Sequence, residues 1–309
     1  MAEPTADDRL YFRQLLSGRD FAAADPIAQQ MRNFAYLIGD RQTGDCVVVD
    51  PAYAAGDLVD VLENDGMHLS GVLVSHHHPD HVGGSMMGFE LKGLAELLER
   101  VSVPVHVNSH EADWVSRVTG IAKSELTSHA HADVVNVGAV PIELLHTPGH
   151  TPGSQCFLVG DGTRGRLVAG DTLFLEGCGR TDFPGGSHPQ LIDSIAQRLW
   201  PMGDATVFIP GHGPTGSVED VKAFWSANVL PSGGRVSYVG SLDGAAICTT
   251  QFPLAANAAL NAPLPVGAGA GMAAVYAHGG PARPGVCAAC AGRRLSHRVV
   301  GRWCEQHQS

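Results

Sequence analysis

Residues 75–81 of the chain read Ser-His-His-His-Pro-Asp-His. This stretch is the most informative part of the sequence about the fold. It starts at the end of Gly71–Ser75, an apolar run that predicts a short buried strand. Four of its side chains are of metal-binding type: His76, His78, Asp80 and His81. Zn²⁺ and similar ions take imidazole nitrogens and carboxylate oxygens as ligands. A loop that leaves a strand can turn the first two side chains toward one ion and the last two toward a second ion.

Three further candidates occur in the same sequence context. His150 lies in residues 147–154 (TPGHTPGS), Asp171 in residues 169–172 (AGDT) and His212 in residues 209–214 (IPGHGP). Each follows an apolar run that predicts a strand, and each is flanked by Gly or Pro. The chain also has 16 His residues, several of them clustered, which is typical of a metal-binding protein. His77 lies between ligands and is predicted to point away. His129 and His131 are predicted to be loop residues because no apolar strand leads into them.

Composition excludes several classes of function. The chain has 309 residues, is 44% hydrophobic and carries a net charge of −11, with 20 basic against 31 acidic residues. A nucleic acid or an anionic membrane surface is therefore not expected to be the main partner. No run is long enough to span a bilayer, and the N-terminal residues contain acids and no apolar signal segment, which predicts a cytoplasmic location. Seven Cys residues do not form an even disulfide framework.

Alternating strand and helix patterns predict a layered α/β domain over residues 1–230. A hairpin is predicted from Phe34–Asp40 and Cys46–Asp50. Helices are predicted at Asp57–Asn64 with Asp57 as N-cap, at Phe89–Val101, at His110–Val118, at Ser187–Trp200 with a Ser187/Gln190 capping box, and from Ser217 to about Leu230. Residues 231–284 are rich in Ala, Gly and Pro and are predicted to be a poorly ordered linker. Residues 285–309 are predicted to be either a short separate module or a tail.

The strings HHHPDH, TPGHTPGS, AGDTLF and PGHG together resemble the metallo-β-lactamase-fold superfamily over roughly residues 10–230. The resemblance implies a four-layer αββα sandwich with a dinuclear metal site at one edge of the two sheets. By motif position it assigns a first metal to His76, His78 and His150. It assigns a second metal to Asp80, His81 and His212, with Asp171 bridging the two. Two Zn(II) ions are the expected cofactors, with Fe or Mn as alternatives.

Two divalent ions about 3.5–4 Å apart can share a water and lower its pKa toward about 7, which makes a metal-bound hydroxide available at neutral pH. This chemistry predicts a hydrolase, with Asp80 and Asp171 as catalytic residues. It suits a leaving group that departs as an anion, such as a thiolate. The bridging position is Asp171 and not Cys, and no signal segment is seen, which argues against a secreted β-lactamase.

Residues 170–183 narrow the resemblance to the branch that contains glyoxalase II and persulfide dioxygenase, which act on thiol adducts. That branch implies a small-molecule thioester or thiol adduct as substrate, with Arg180 contacting a substrate carboxylate and Cys178 lining the pocket. A hydroxyacyl-thiol hydrolase is therefore predicted. The region after Leu230 departs from glyoxalase II, because it is rich in Ala, Gly and Pro where that family has a helical domain. The alternative is a mononuclear Fe(II) persulfide dioxygenase with His76, His150 and Asp171 as its triad.

The C-terminal module contains a second metal-binding pattern. Four residues form CxxC and CxxH pairs thirteen residues apart: Cys287, Cys290, Cys304 and His307. This spacing predicts a zinc-ribbon-like module with a third, structural Zn(II), or else a tail with incidental Cys residues. A module of this kind would serve partner binding and not catalysis.

Overall fold

A computed structural model of the chain describes residues 9–86, 88–160, 165–175, 177–228, 235–242 and 245–253. Eighteen strands lie in these residues: β1 Leu10–Leu16, β2 Phe34–Asp40, β3 Asp45–Val49, β4 His68–Leu73, β5 Gly84–Met86, β6 Phe89–Leu91, β7 Val105–Asn108, β8 Leu126–His129, β9 Val134–Val137, β10 Val140–His146, β11 Gln155–Val159, β12 Arg166–Gly170, β13 Leu173–Phe174, β14 Gly177–Cys178, β15 Val207–Pro210, β16 Gly216–Ser217, β17 Arg235–Leu242 and β18 Ala245–Pro253. Seven α-helices accompany them: α1 Pro26–Met31, α2 Ala55–Asn64, α3 Pro79–Val82, α4 Leu94–Arg100, α5 Ala112–Thr119, α6 His188–Ser194 and α7 Val218–Asn228.

The strands form two six-stranded sheets. The first has the order β1-β2-β3-β4-β7-β8, with antiparallel pairing at β1–β2 and β2–β3 and parallel pairing from β3 to β8. The second has the order β16-β15-β12-β11-β10-β9 and is antiparallel except for the parallel pair β12–β15. Parallel neighbours end at the same edge of a sheet, so the loops that follow them are brought together.

Three hydrophobic layers show how the sheets and helices stack. Tyr36 and Ile38 of β2 pack with Phe157 and Val168 of the second sheet, which makes the layer between the sheets. The alternate residues of β2, such as Leu37, face the opposite side and pack with Leu58 and Leu94 from helices α2 and α4. On the far side of the second sheet, Leu191 of α6 and Val221 of α7 pack with Leu167 and Phe208 of the sheet. Helices therefore cover both outer faces, and the predicted αββα sandwich is confirmed.

Several local predictions were wrong. Helix α2 begins at Ala55, and Asp57 accepts a hydrogen bond from the Ala22 N–H in place of capping its own helix. Ser187 precedes α6, but its side chain makes no capping hydrogen bond, so the capping box is absent there. The predicted helix at 89–101 is divided: Phe89–Leu91 pairs with β5, and the helix starts only after Gly93. A Cβ at Gly93 would lie 2.5 Å from the Val82 carbonyl oxygen, so this close backbone crossing separates the two elements.

Beyond the sandwich, β17 and β18 form an antiparallel hairpin within the stretch predicted to be a linker. The proposed ligands Cys287, Cys290, Cys304 and His307 lie outside the described residues, as does the whole of 285–309. Among the helices that the structure describes, none combines the length and the apolar character that crossing a membrane requires.

Candidate metal centre

Strand ends position the candidate ligands at one edge of the sandwich. The loop after β4 carries His76 and His78, and the one-turn helix α3 carries Asp80 and His81. His150 follows β10, Asp171 follows β12 directly, and His212 follows β15 by two residues. The loops are joined across the two sheets by a backbone hydrogen bond from Gln155 N to Ser75 O at 3.0 Å.

The first group comprises His76, His78 and His150. Nδ1 of His78 lies 3.1 Å from His76 Nε2 and 3.0 Å from His150 Nε2. His76 and His150 are 1% and 2% exposed, and His78 is partly buried. Three imidazole nitrogens therefore converge on one point that little water reaches, which is the donor set that a divalent cation prefers.

The second group comprises Asp80, His81 and His212. Asp80 Oδ2 lies 3.7 Å from His81 Nε2 and 3.6 Å from His212 Nε2, and all three residues are buried. This group has two imidazoles and one carboxylate, so it has a net negative charge when the imidazoles are neutral. It too brings three ligand atoms close enough to hold one ion.

Asp171 lies between the two groups. Its Oδ2 is 3.9 Å from His150 Nε2 in the first group and 3.6 Å from His212 Nε2 in the second, and its Oδ1 is 3.4 Å from His81 Nε2. Among the described residues, Oδ1 is buried and has no hydrogen-bond partner. Buried carboxylate oxygens are normally satisfied, so an orphan oxygen beside converging imidazoles fits a site for a cation.

Hydrogen bonds behind the ligands fix which ring nitrogen faces each group. His81 Nδ1 lies 2.9 Å from Asp50 Oδ2, and His150 Nδ1 lies 2.6 Å from the Arg180 carbonyl oxygen. Because these oxygens accept the Nδ1–H, the Nε2 lone pair of each ring faces the ligand group. Asp50 also accepts hydrogen bonds from the Ser75 backbone N–H at 2.8 Å and the Ser75 hydroxyl at 2.5 Å.

The imidazoles of the two ligand groups differ in how readily they bind a proton. In the first group, burial holds the pKa of His76, His78 and His150 below the ordinary value. These rings are therefore neutral at neutral pH, as metal ligation requires. In the second group, burial alone would lower the pKa of His81 and His212, but the Asp171 and Asp80 carboxylates outweigh it and raise the pKa of both rings.

The same charges act on the carboxylates. Burial favours the protonated form of Asp80 and Asp171, but the neighbouring imidazoles His81 and His212 reverse this and hold the pKa of both carboxyls well below the usual range. Both carboxylates are therefore ionised at neutral pH. A divalent cation bound between them would replace the protons on the imidazoles as the compensating positive charge.

The remaining predicted residues lie around this centre. His77 belongs to neither group: its Nδ1 is 2.5 Å from Glu111 Oε1, and its ring stacks on Trp114. His129 ends strand β8, contrary to the prediction of a loop, and its Nε2 lies 2.8 Å from His106 Nδ1. His131, exposed in the loop after β8, accepts a hydrogen bond from the backbone N–H of His146.

Arg180 and Cys178 occupy different environments. The Arg180 guanidinium makes two hydrogen bonds to Asp182, at 2.7 and 2.6 Å, and lies 4.1 Å from the centre of the Phe183 ring. The Phe183 ring in turn lies 5.2 Å from that of His78, so the Arg180 side chain borders the first ligand group. Cys178 is 1% exposed, burial raises the pKa of its thiol, and it belongs to the apolar cluster between the second sheet and its helices.

Sequence reasoning missed three residues that touch the ligands or their loops: Asn33, Asp50 and Glu111. Asp50 directly follows the apolar strand β3, the same context that identified Asp171, and this signal could have found it. Glu111 and Asn33 have no such signal because their contacts are to residues distant in the chain.

A family model for the metallo-beta-lactamase superfamily matches residues 30–212, and the chain belongs to this superfamily. Two curated proteins show the range of relatives. The probable metallo-hydrolase YqgX of Bacillus subtilis is 30% identical over 200 residues, covering 61% of this chain and 88% of that protein. The hydroxyacylglutathione hydrolase GloC of Haemophilus influenzae is 29% identical over 205 residues, with 61% and 88% covered.

Among solved structures, ETHE1 from Myxococcus xanthus superposes with a TM-score of 0.54 at 29% identity and covers 69% of this chain and 81% of that one. The predicted membership of the superfamily is therefore confirmed. The His/Asp cluster of this fold is suited to a divalent metal.

Proposed function

We propose that the chain is a binuclear metallohydrolase that cleaves a hydroxyacyl thioester of a small thiol. The observation that carries this proposal is the position of the Asp171 carboxylate, within 3.9 Å of imidazole nitrogens from both ligand groups. A carboxylate shared between two groups is the arrangement that a two-ion hydrolase needs. Similarity to GloC, a hydroxyacylglutathione hydrolase, supports the choice of a thioester.

Bound divalent cations lower the pKa of a shared water and polarise a carbonyl oxygen. The chain's own residues bind the cations and orient the attacking water. His76, His78 and His150 would hold one cation and Asp80, His81 and His212 the other, with Asp171 placed to contact both. Asp80 and Asp171, both ionised, orient the attacking water by accepting hydrogen bonds from it. Zn(II) is the proposed metal, with Fe and Mn as alternatives.

The leaving group explains why no acid side chain is needed. An ordinary thiol has a pKa near 8.5, so it departs as a thiolate without a proton donor. The guanidinium of Arg180 borders the first ligand group and is proposed to bind a substrate carboxylate. To do so it must exchange one or both of its hydrogen bonds to Asp182.

The experiment measures bound metal and thioester hydrolysis on the full chain and on Asp171→Asn, with Asp60→Asn, an exposed aspartate of α2, as the matched control. Losing even an outer contact to a ligand typically costs 10–100-fold, so replacing the bridging carboxylate is expected to lower kcat/KM more than about 100-fold. The control is expected to match the unaltered protein. Equal activity of the two variants would contradict the proposal.

The alternative function is a mononuclear dioxygenase. Metal analysis combined with an oxygen electrode tests it, because a dioxygenase would hold one Fe(II) and take up O₂ only with a persulfide substrate. We rank it second because His78 Nδ1 lies within 3.1 Å of both His76 and His150, and the dioxygenase triad gives this imidazole no metal to bind. One iron per chain together with persulfide-dependent O₂ uptake would replace the hydrolase proposal.

A further inference from the structure

A buried amide outside the predicted ligands contacts the whole second group. Asn33 directly precedes β2 and is 4% exposed. Its Nδ2 lies 3.0 Å from Asp80 Oδ2, 3.3 Å from His81 Nε2 and 3.2 Å from His212 Nε2. These are the three atoms that form the second ligand group, so one side chain lies almost equally close to all of them.

The Asn33 side chain is held at its other end by Tyr53. The Tyr53 hydroxyl donates to Asn33 Oδ1 at 3.0 Å, and the tyrosine is 1% exposed. Tyr53 has a φ of +69°, a region that a bulky side chain rarely adopts. Strain of this kind persists only where the surroundings impose it, and it is common at functional sites.

The main chain of this residue is fixed as well. Its carbonyl oxygen accepts the N–H of Ser17 at 2.9 Å, and the next residue, Phe34, donates its N–H to the Gly211 carbonyl oxygen at 2.9 Å. Gly211 precedes His212 in the chain. The Asn33 backbone is therefore fixed relative to the loop that carries His212, and its position near the second group follows from the fold.

The chemistry of the amide decides what it can do there. An NH₂ group has two hydrogens, and three acceptor atoms lie within its reach. An imidazole Nε2 has a single lone pair, which a bound cation would take, so with a cation present the NH₂ keeps an acceptor only at Asp80. The amide oxygen, by contrast, is attracted to a cation, and carbonyl oxygens of Asn are established ligands of hard ions.

Tyr53 permits either orientation of the amide. A tyrosine hydroxyl both donates and accepts hydrogen bonds, so it can pair with Oδ1 or, after a half turn of the amide, with Nδ2. The half turn exchanges the two atoms and gives up the hydrogen bond from Nδ2 to Asp80 Oδ2, so it is favourable only when a cation between the two oxygens replaces that bond. Oδ1 then faces the second group at the place that Nδ2 occupies in this structure.

We propose that Asn33 is a further protein ligand of the second cation, beside Asp80, His81, His212 and the bridging Asp171, and that it binds through Oδ1 while the Tyr53 hydroxyl accepts from Nδ2. The proposal rests on the two ligand groups of the proposed function but not on its substrate. A chain that hydrolyses no thioester can therefore still bind its second cation in this way, and the two proposals fail separately.

The test uses the full chain with its metal removed and returned as Zn(II) or Co(II), and measures how tightly each equivalent is held against a graded chelator. Asn33→Ala is expected to weaken one equivalent by about 10–100-fold and leave the other unchanged. Asn33→Asp supplies an oxygen in every orientation and is expected to hold that equivalent at least as tightly as the unaltered chain. Tyr53→Phe is expected to fall between them.

Asn108→Ala is the matched control. Asn108 is also buried, at 1% exposed, and its side chain accepts the N–H of His110, but it lies outside both ligand groups. Its loss is expected to lower thermal stability and leave both equivalents in place. In the Co(II) protein, the visible absorption of the second equivalent is expected to increase in Asn33→Ala and not in Asn108→Ala, because fewer ligands give cobalt stronger visible bands.

Three outcomes would overturn the proposal. Both equivalents could weaken together in Asn33→Ala, in step with a stability loss like that of the control, which would make Asn33 a purely structural residue. The second equivalent could bind more tightly in Asn33→Ala, which would show that the amide competes with the cation. The unaltered chain could bind one equivalent only, unaffected by Asn33→Ala.

Discussion

Glu111 Oε1 accepts the backbone N–H of His77 at 2.9 Å, and its other oxygen accepts the backbone N–H of Gly153 at 2.6 Å. His77 lies between two members of the first ligand group, and Gly153 lies three residues after the third member. Glu111 is 1% exposed and belongs to neither loop. One buried carboxylate at the start of α5 therefore fixes the distance between the two loops that carry the first group.

Glu111→Gln replaces one of these oxygens with an NH₂ that meets an N–H donor. We expect the free energy of unfolding to fall by about 1–3 kcal/mol, because a buried donor loses its acceptor. We also expect the first metal equivalent to bind about 10–100-fold more weakly, because the two loops that carry its ligands are no longer held at a fixed distance. Chelator titration and urea unfolding measure the two effects. Glu63→Gln, an exposed glutamate of α2, should show neither. An unchanged first equivalent would mean that the loops keep their spacing without Glu111.

Asp50→Asn tests the hydrogen bond behind His81. The Asp50 carboxylate accepts the His81 Nδ1–H at 2.9 Å and so directs Nε2 toward the second ligand group. Asn tolerates positive φ as Asp does, so the variant removes the charge without changing the backbone preference at this position. We expect the second equivalent to weaken by about 10–100-fold and the first to be less affected. The reverse order of loss would show that Asp50 acts on the first group through Ser75 and His76.

The sequence predicted that the seven candidate ligands lie together because all obey a local rule: each follows a strand that ends at the same edge. The hairpin of Phe34–Asp40 and Cys46–Asp50 was predicted because two apolar runs flank a turn-like segment, and β2 pairs with β3 as expected. Of the supporting residues, Asn33 and Glu111 obey no local rule. Asn33 reaches Asp80 across 47 positions of sequence and Glu111 reaches His77 across 34, and neither spacing has a pattern that composition or periodicity could reveal.

Local capping signals failed where tertiary contacts offered a competing partner. Asp57 is an acceptable N-cap by type, but the unpaired N–H of Ala22 lies 2.8 Å from its carboxylate and takes the bond. The prediction of a helix from Phe89 did not take account of the backbone crossing at Gly93, where the chain passes close to Val82 and Gly83. Propensity describes the isolated segment, and these two errors arise where a distant segment supplies the stronger interaction.

Gly149→Ala tests the close packing of the residue before His150. Gly149 has a φ of +136°, and a Cβ there would lie 2.2 Å from the backbone nitrogen of Leu191 in α6. Either the helix or the His150 loop must move, so we expect a loss of about 3 kcal/mol or more and a weaker first metal equivalent. Gly66→Ala is the matched control: its φ is +72°, but a Cβ there meets no atom within 4 Å. It should cost only about 1–2 kcal/mol of backbone strain and leave the metal unaffected. Equal costs for the two variants would mean that backbone conformation alone explains the glycine at position 149.

Asp40 provides a pH-dependent test away from the metal centre. Its buried carboxylate accepts a hydrogen bond from Arg9 and two more from the backbone N–H groups of Ala139 and Gln42. The Arg9 bond, supported by the two backbone bonds, lowers the pKa of Asp40 to about 2. In the unfolded chain an aspartate titrates near 3.9, so between these two pH values the unfolded state binds more protons than the folded one.

The stability that Asp40 contributes is therefore complete above about pH 4 and is lost as the pH falls through about 2. Asp40→Asn, which keeps the shape and one acceptor, should lack this contribution at every pH. We expect the difference in free energy of unfolding between the two proteins, measured by urea titration in chelator, to be largest above pH 4 and to shrink steadily toward pH 2. The metal-site carboxylates titrate alike in both proteins and cancel in the difference. A difference that stays constant over this range would show that Asp40 stabilises the loop through its shape and backbone hydrogen bonds, and that its charge, with the Arg9 ion pair, contributes nothing.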